Sequence, residues 1–341
     1  MNTINITITL TQSNSLFSDY WENIQYYFST AILPILLILS IVTSLIEIRL
    51  FLLNRMRLII AHTSLLYYII IAVTVIGSII LNQIPNLYIC ENLGHFFPAI
   101  DALLPKITIL CDALRITSVL FPHCIGWFYL FLEISSGFKI LSEENHSNFQ
   151  MQVININICL ISLVVLSGLL ISALFVIDHH ILHYSADCMM NLDDFMKKAF
   201  YRYLIAADIS IGPYFLTLAV SFSLLIVINQ HVRKNARALK FCKHGGRISP
   251  NGVSTATLAN GVVAVILSFA HVATHFPVGI CYSLQAYFIA ETESLSQKLA
   301  ELLGALYVVF SSLENFDSLL DFIIYNYRIP VFRNSLFGKR R

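Results

Sequence analysis

Residues 31–53 read AILPILLILSIVTSLIEIRLFLL, and only Glu47 and Arg49 in this stretch can carry a charge. A crossing of the ~30 Å hydrocarbon core of a bilayer takes about 20 consecutive apolar residues, so this segment is long enough to span one as a helix. A helix apolar on all sides has no face to offer to water and belongs in a core or a membrane. Outward from it the pattern recurs over approximately 58–81, 107–134, 153–177, 203–230, 253–282 and 299–327. Asp112, Arg115, Pro122 and Glu133 interrupt the third of these stretches, which leaves a short or tilted helix open there. The expected fold is an all-α membrane protein, a seven-transmembrane helix bundle. Residues 1–30 are expected to form an extracellular segment, 31–327 the seven-span domain, and 328–341 a short cytoplasmic tail with an amphipathic helix.

Composition points the same way. The chain is 57% hydrophobic and 12% charged, against roughly 25% charged in soluble domains. Its net charge is +1 and its basic residues form no aromatic-interleaved patch, so nucleic acid is not an expected partner. The 7 cysteines show neither a CxxC pair nor Cys/His ligand spacing, so neither a metal nor a cofactor is expected. The first 30 residues are polar and lack a basic start followed by an apolar core. A cleavable signal peptide is therefore not expected, and the first span would act as the targeting signal.

Orientation follows from the flanking cations, because Lys and Arg gather on the cytoplasmic side. With the N-terminus outside, the inner face holds Arg49, Arg55, Arg57, Lys139, Arg233, Lys234, Arg237, Lys240, Lys243, Arg247, Arg328, Arg333, Lys339, Arg340 and Arg341. The outer face holds Lys106, Lys197, Lys198, Arg202 and Lys298. Fifteen against five selects N-terminus outside and C-terminus inside. Asn5-Ile6-Thr7 is then a usable glycosylation acceptor, whereas Asn145-His146-Ser147 falls in an inner loop and is expected to stay unmodified.

Charged groups inside spans are costly and usually face a cavity or one another, which singles out Asp112, Arg115, Asp208, Glu314, Asp317 and Asp321. Asp112 and Arg115 are three apart, on one helix face. Either they neutralise each other, or Arg115 grips a ligand carboxylate by two parallel bonds. His271 and His275 are four apart on the sixth span; they suit ligand binding or pH sensing, satisfied core histidines being the commoner outcome. Metal chelation needs more ligands than two histidines. Pro213 and Pro277 interrupt the fifth and sixth spans and predict kinks. A kinked sixth helix is a lever whose inner half can swing.

The last span reads Asp317-Ser318-Leu319-Leu320-Asp321-Phe322-Ile323-Ile324-Tyr325, followed by Arg328, Phe332 and Arg333. This resembles the Asn-Pro-x-x-Tyr segment and following helix of rhodopsin-like G-protein-coupled receptors, with Asp321 in the Asn place and Tyr325 and Phe332 keeping identity and spacing. A tyrosine on an apolar helix most often simply packs. Phe276-Pro277-Val278-Gly279-Ile280, Arg115 to Ser118 and the run from Glu47 to Arg57 are similar to nematode chemosensory receptors of serpentine class W, which look like relatives of FMRFamide-type peptide receptors. Departures are equally plain. Ser44 stands where that family has Asn, the second span lacks its sodium-binding acid, and no Asp-Arg-Tyr box follows the third.

The resemblance implies a plasma-membrane receptor, not an enzyme, that detects an extracellular peptide or small chemosensory molecule and signals through a heterotrimeric G protein. Asp112, Arg115, Ser118, Tyr214, His271, His275, Tyr282 and Glu314 would bind ligand, with Phe276 and Tyr307 sharing the pocket. Pro213, Pro277, Asp321 and Tyr325 would form the activation switch. The family's hallmark disulfide would join Cys111 to Cys188, Cys90 being the rival partner. Arg233, Lys234, Arg237 and Lys240 would face the G protein, although a basic loop also binds anionic lipid headgroups. The competing class is a multi-span transporter or channel with Asp112, Arg115, Glu314 and Asp317 lining a path. It predicts paired repeats, and no internal repeat is visible.

Overall fold

The computed structural model describes residues 23–24, 26–53, 62–84, 108–144, 150–182, 212–243, 253–291 and 297–337. Among these, the regular elements are all helices. Helix α1 (Leu33–Phe51) is entered through a π-helical turn at Phe28–Ile32, and α2 (His62–Ser78) continues into a second at Ile79–Gln83. Then come α3 (Thr108–Glu144), α4 (Gln150–Leu182), α5 (Gly212–Lys243), α6 (Thr255–Glu291), α7 (Gln297–Glu314), α8 (Asp317–Arg328) and α9 (Pro330–Leu336). Six stretches are long and apolar enough to cross a membrane: Thr30–Phe51, Ser64–Gln83, Ile116–Glu143, Asn155–Leu174, Gly212–Lys234 and Thr255–Cys281.

The helices are arranged inside out relative to a water-soluble bundle. Helix α1 buries Ser40, Thr43, Ser44 and Glu47 while Ile35, Ile38, Val42 and Leu45 face outward. Helices α4 and α5 likewise expose Leu163, Leu166, Leu170, Phe215, Phe222 and Ile226. A soluble monomer rarely exposes a contiguous apolar patch beyond a few hundred Å², whereas lipid solvates such faces at no cost and drives polar groups inward.

Helix α3 packs against α2, α4, α5 and α6, and a ring closes around it as α1 meets α2, α5 meets α6, α6 meets α7 and α8, and α8 returns to α1. The main core cluster draws on α1, α2, α3, α6, α8 and α9, including Phe51, Tyr68, Phe128, Leu267, Tyr325 and Phe332. Close approach of α3 and α4 depends on Gly168, where a Cβ would lie 2.8 Å from Leu120 Cδ1 and 2.9 Å from His123 Cδ2.

Two expectations need correction. The third span does not end at Ile134: the helix runs on to Glu144, because Glu133 is fully buried and accepts a hydrogen bond from Ser221 of α5 instead of marking a boundary. The 299–327 stretch is not one helix but two, α7 and α8. Ser40 Oγ donates to the Asn315 carbonyl at 2.5 Å, an acceptor that an unbroken helix would offer to residue 319. The chain turns there through a tighter bond from Phe316 N to Leu313 O at 2.9 Å. Pro213 is the second described residue of α5, and the preceding part of the expected fifth span, 203–211, lies outside the described residues. Pro122 and Pro277 do lie within helices α3 and α6.

Together α7 and α8 run parallel to α1 along its whole length. Helix α7 meets the π-turn that opens α1, Asn315 meets Ser40 midway, and Tyr325 packs edge-on to Phe51 at the far end, with ring centroids 4.9 Å apart.

Candidate functional site

The sixth helix brings His271 and His275 to one face by their spacing of four, and the break at Asn315–Phe316 sets Glu314 and Asp317 against them. His271 Nδ1 lies 2.8 Å from Asp317 Oδ2. His275 Nε2 is 3.2 Å from the same oxygen, and its Nδ1 is 3.4 Å from Glu314 Oε1. The imidazole centroids are 4.1 Å apart. Tyr129 of α3 stacks on His271 at 4.0 Å with planes 16° apart, and its hydroxyl donates to Asp321 Oδ2 in a short hydrogen bond. Tyr214 of α5 closes the cluster beside both imidazoles, at 5.7 and 6.5 Å, with Phe276 edge-on to it.

Beneath this lies a second set of acids and hydroxyls. Glu47 of α1 is buried within Coulombic reach of Asp321 and Asp317. Glu47 Oε1, Tyr68 OH, Asp317 Oδ1, Asp321 Oδ1 and His271 Nε2 are buried with no hydrogen-bond partner among the described residues. Unsatisfied polar atoms at this depth are costly, and native structures hold few of them. These atoms lie on α1, α2, α6 and α8.

Tyr325 occupies a different environment. It packs with Phe51, Tyr68 and Phe332, at 4.9, 5.2 and 5.7 Å between ring centroids. This aromatic box fastens α8 and α9 to α1 and α2.

At the far end of α3, Glu143 joins that helix to the start of α6. Glu143 Oε1 accepts from Thr257 Oγ1 at 2.6 Å and Oε2 accepts from Ser254 N at 3.1 Å. Ser254 in turn caps α6, its Oγ accepting from Thr257 N at 3.1 Å. A carboxylate at a helix N-terminus is favoured by the unpaired amides there. Lys139 Nζ lies 3.6 Å from Glu143 Oε1 and completes the group.

Of the residues singled out from sequence, the fold unites Tyr214, His271, His275, Glu314, Asp317 and Asp321, with Pro277 two residues beyond His275. Ser118 is exposed on α3. Arg233 and Lys234 are exposed on α5. The side chains of Cys111, Asp112, Arg115, Arg237, Lys240, Tyr282 and Tyr307, and the whole of Asn5, Cys90, Cys188 and Asp208, lie outside the described residues. The sequence reading gave no site role to Glu47, Tyr129, Glu133 or Glu143. Glu47 and Glu133 obey the same rule of charge within an apolar span that exposed the others; Tyr129 carries no such signal. No protein-family model matches the chain, and no curated protein sequence matches it either.

Proposed function

We propose that this chain is a plasma-membrane receptor of seven crossings, N-terminus outside, that detects an extracellular peptide or small molecule and signals to a heterotrimeric G protein. The seventh crossing is the α7–α8 pair. At 18 and 12 residues and 1.5 Å of rise each, the two helices reach about 45 Å, enough for the bilayer core.

The observation that carries this reading is the pair of ties on α6. Near Pro277 the helix is held by His271 and His275 to Asp317 of α8; at its other end Ser254 and Thr257 are held by Glu143 of α3. These ties are separated by about 30 Å of helix, so a bend change of roughly 10° at Pro277 would carry the inner tip some 5 Å. A ligand favouring one arrangement of the outer tie thereby biases the inner one, which is what population shift between two states requires. Glu143 takes the part of an inner lock that the missing Asp-Arg-Tyr box leaves open.

The test is expression with a panel of G proteins and a screen of peptides and small odorants for nucleotide exchange. Ligand-dependent exchange, lost in Arg115→Ala at normal surface expression, is the expected result. Substrate uptake or ion current without exchange would overturn it in favour of a transporter or channel.

A further inference from the structure

We infer that His271, His275 and Asp317 form a binding site for a divalent transition-metal ion of the zinc class, bridging α6 to α8. This goes beyond the signalling role and does not rest on it. The sequence offers two histidines, too few for chelation; the break in the seventh span supplies the third donor. One ligand atom from each residue lies within 4.8 Å of the others. Two donors bound tetrahedrally at 2.0–2.2 Å from zinc stand about 3.3 Å apart, and the two imidazole–carboxylate separations here are 2.8 and 3.2 Å. On these two edges metal entry needs adjustments of about 0.1–0.5 Å, and the two imidazole nitrogens lie within 4.8 Å of each other.

Donor chemistry selects the ion. Two imidazole nitrogens and one carboxylate suit zinc and its neighbours, whereas calcium and magnesium take oxygen ligands. The surroundings fit as well. With His275 Nε2 on the ion, its Nδ1–H points at Glu314 Oε1, 3.4 Å away; such a carboxylate partner fixes the tautomer and orients the ring in known metal sites. Asp317 Oδ1 is buried with no hydrogen-bond partner among the described residues, placed to make the carboxylate bidentate. The cluster is least enclosed on the Glu314 side, where the side chains of His275 and Glu314 are 14% and 24% exposed. Three protein donors leave a fourth position for water or an incoming ligand atom. The metal would replace the protons that now join the imidazoles to Asp317 and would clamp α6 beside Pro277.

The experiment uses the full chain, purified in detergent and stripped of metal, titrated with zinc chloride by equilibrium dialysis and by melting. One ion is expected to bind tightly and to raise Tm by about 5 °C once in hundredfold excess over Kd, while calcium chloride does nothing. His275→Ala should weaken this binding at least about 100-fold. His179, His180 and His183 form another close histidine group in the sequence. Replacing all three with Ala should leave the tight site intact, and X-ray absorption on that zinc-loaded protein should report two imidazoles, oxygen, and no sulfur. This last measurement decides the matter if His275→Ala fails to fold. Zinc binding that vanished with the 179–183 group, persisted in His275→Ala, or showed thiolate ligands would overturn the site, as would no binding at about 1 mM zinc.

Discussion

Tyr129 shows how much one hydroxyl can carry in a bundle interior. It is 1% exposed, stacks on His271, and donates to the only Asp321 oxygen with a partner among the described residues. Truncation to Phe leaves the ring stack in place and strands a second buried carboxylate oxygen, so the cost is the desolvation penalty of that oxygen, about 1–3 kcal/mol. Asp321→Asn in the Tyr129→Phe background should cost much less than the sum of the separate changes. A double-mutant cycle on thermal or denaturant unfolding in detergent is expected to give a coupling of about 1–3 kcal/mol; additivity within about 0.5 kcal/mol would remove the Tyr129–Asp321 bond from the account. At this scale the sequence was legible where chemistry contrasted with its neighbours. Glu314, Asp317, Asp321 and the two histidines stand out in an apolar segment whatever the fold. Tyr129 does not, since one more aromatic residue among Trp127, Phe128 and Phe131 acquires its role only when α6 and α8 arrive beside it.

At the level of elements, the helices were readable and their ends were not. Hydropathy marked α3 over 107–134, with Asp112, Arg115, Pro122 and Glu133 interrupting it; Ser221, on a helix some 90 residues away in sequence, pairs with Glu133 inside a helix that continues to Glu144. The break between α7 and α8 was equally hidden, because the freed Asn315 carbonyl finds its partner in Ser40 of α1, 275 residues away in sequence. Contacts between helices fix both features, and one-dimensional pattern cannot contain them. Two outcomes follow at this scale. Gly168→Val should destabilise the α3–α4 contact by about 1–3 kcal/mol, read as a lower melting temperature. His123 has little room to yield, being held by Ser167 Oγ at 3.0 Å and the Val164 carbonyl at 3.2 Å. Glu143→Ala should free the start of α6. Losing two accepted bonds there costs about 1–2 kcal/mol of local stability, so amide exchange at Ser254 and Thr257 is expected to quicken about tenfold while that of the α3–α4 contact is unchanged. Equal acceleration across the molecule would mean that Glu143 supports the fold as a whole instead of latching two helices.

The whole molecule is organised by a solvent that accepts apolar side chains and refuses polar ones. That inversion was legible from the start, since 12% charged residues cannot coat a soluble protein of this length. The count of crossings was harder to read, because it hangs on the α7–α8 stretch, whose acids and turn keep it apart from the six plainly apolar spans. Geometry bears on what hydropathy leaves open: this pair runs parallel to α1 from its π-helical opening to Phe51, so if α1 crosses the bilayer the pair crosses it in the same direction. On the seven-crossing reading proposed above, the two termini lie on opposite sides of the bilayer, with the C-terminus on the side of the flanking cations. With epitope tags at both ends in intact cells, the N-terminal tag should be labelled without permeabilisation and the C-terminal tag only after it. A glycan should be found on Asn5 and lost in Asn5→Gln, with none on Asn145. If both tags proved accessible from the same side, α7–α8 would have to enter and leave by one face, which its run beside α1 does not permit, and the seven-crossing receptor would have to be abandoned along with the lever built on it.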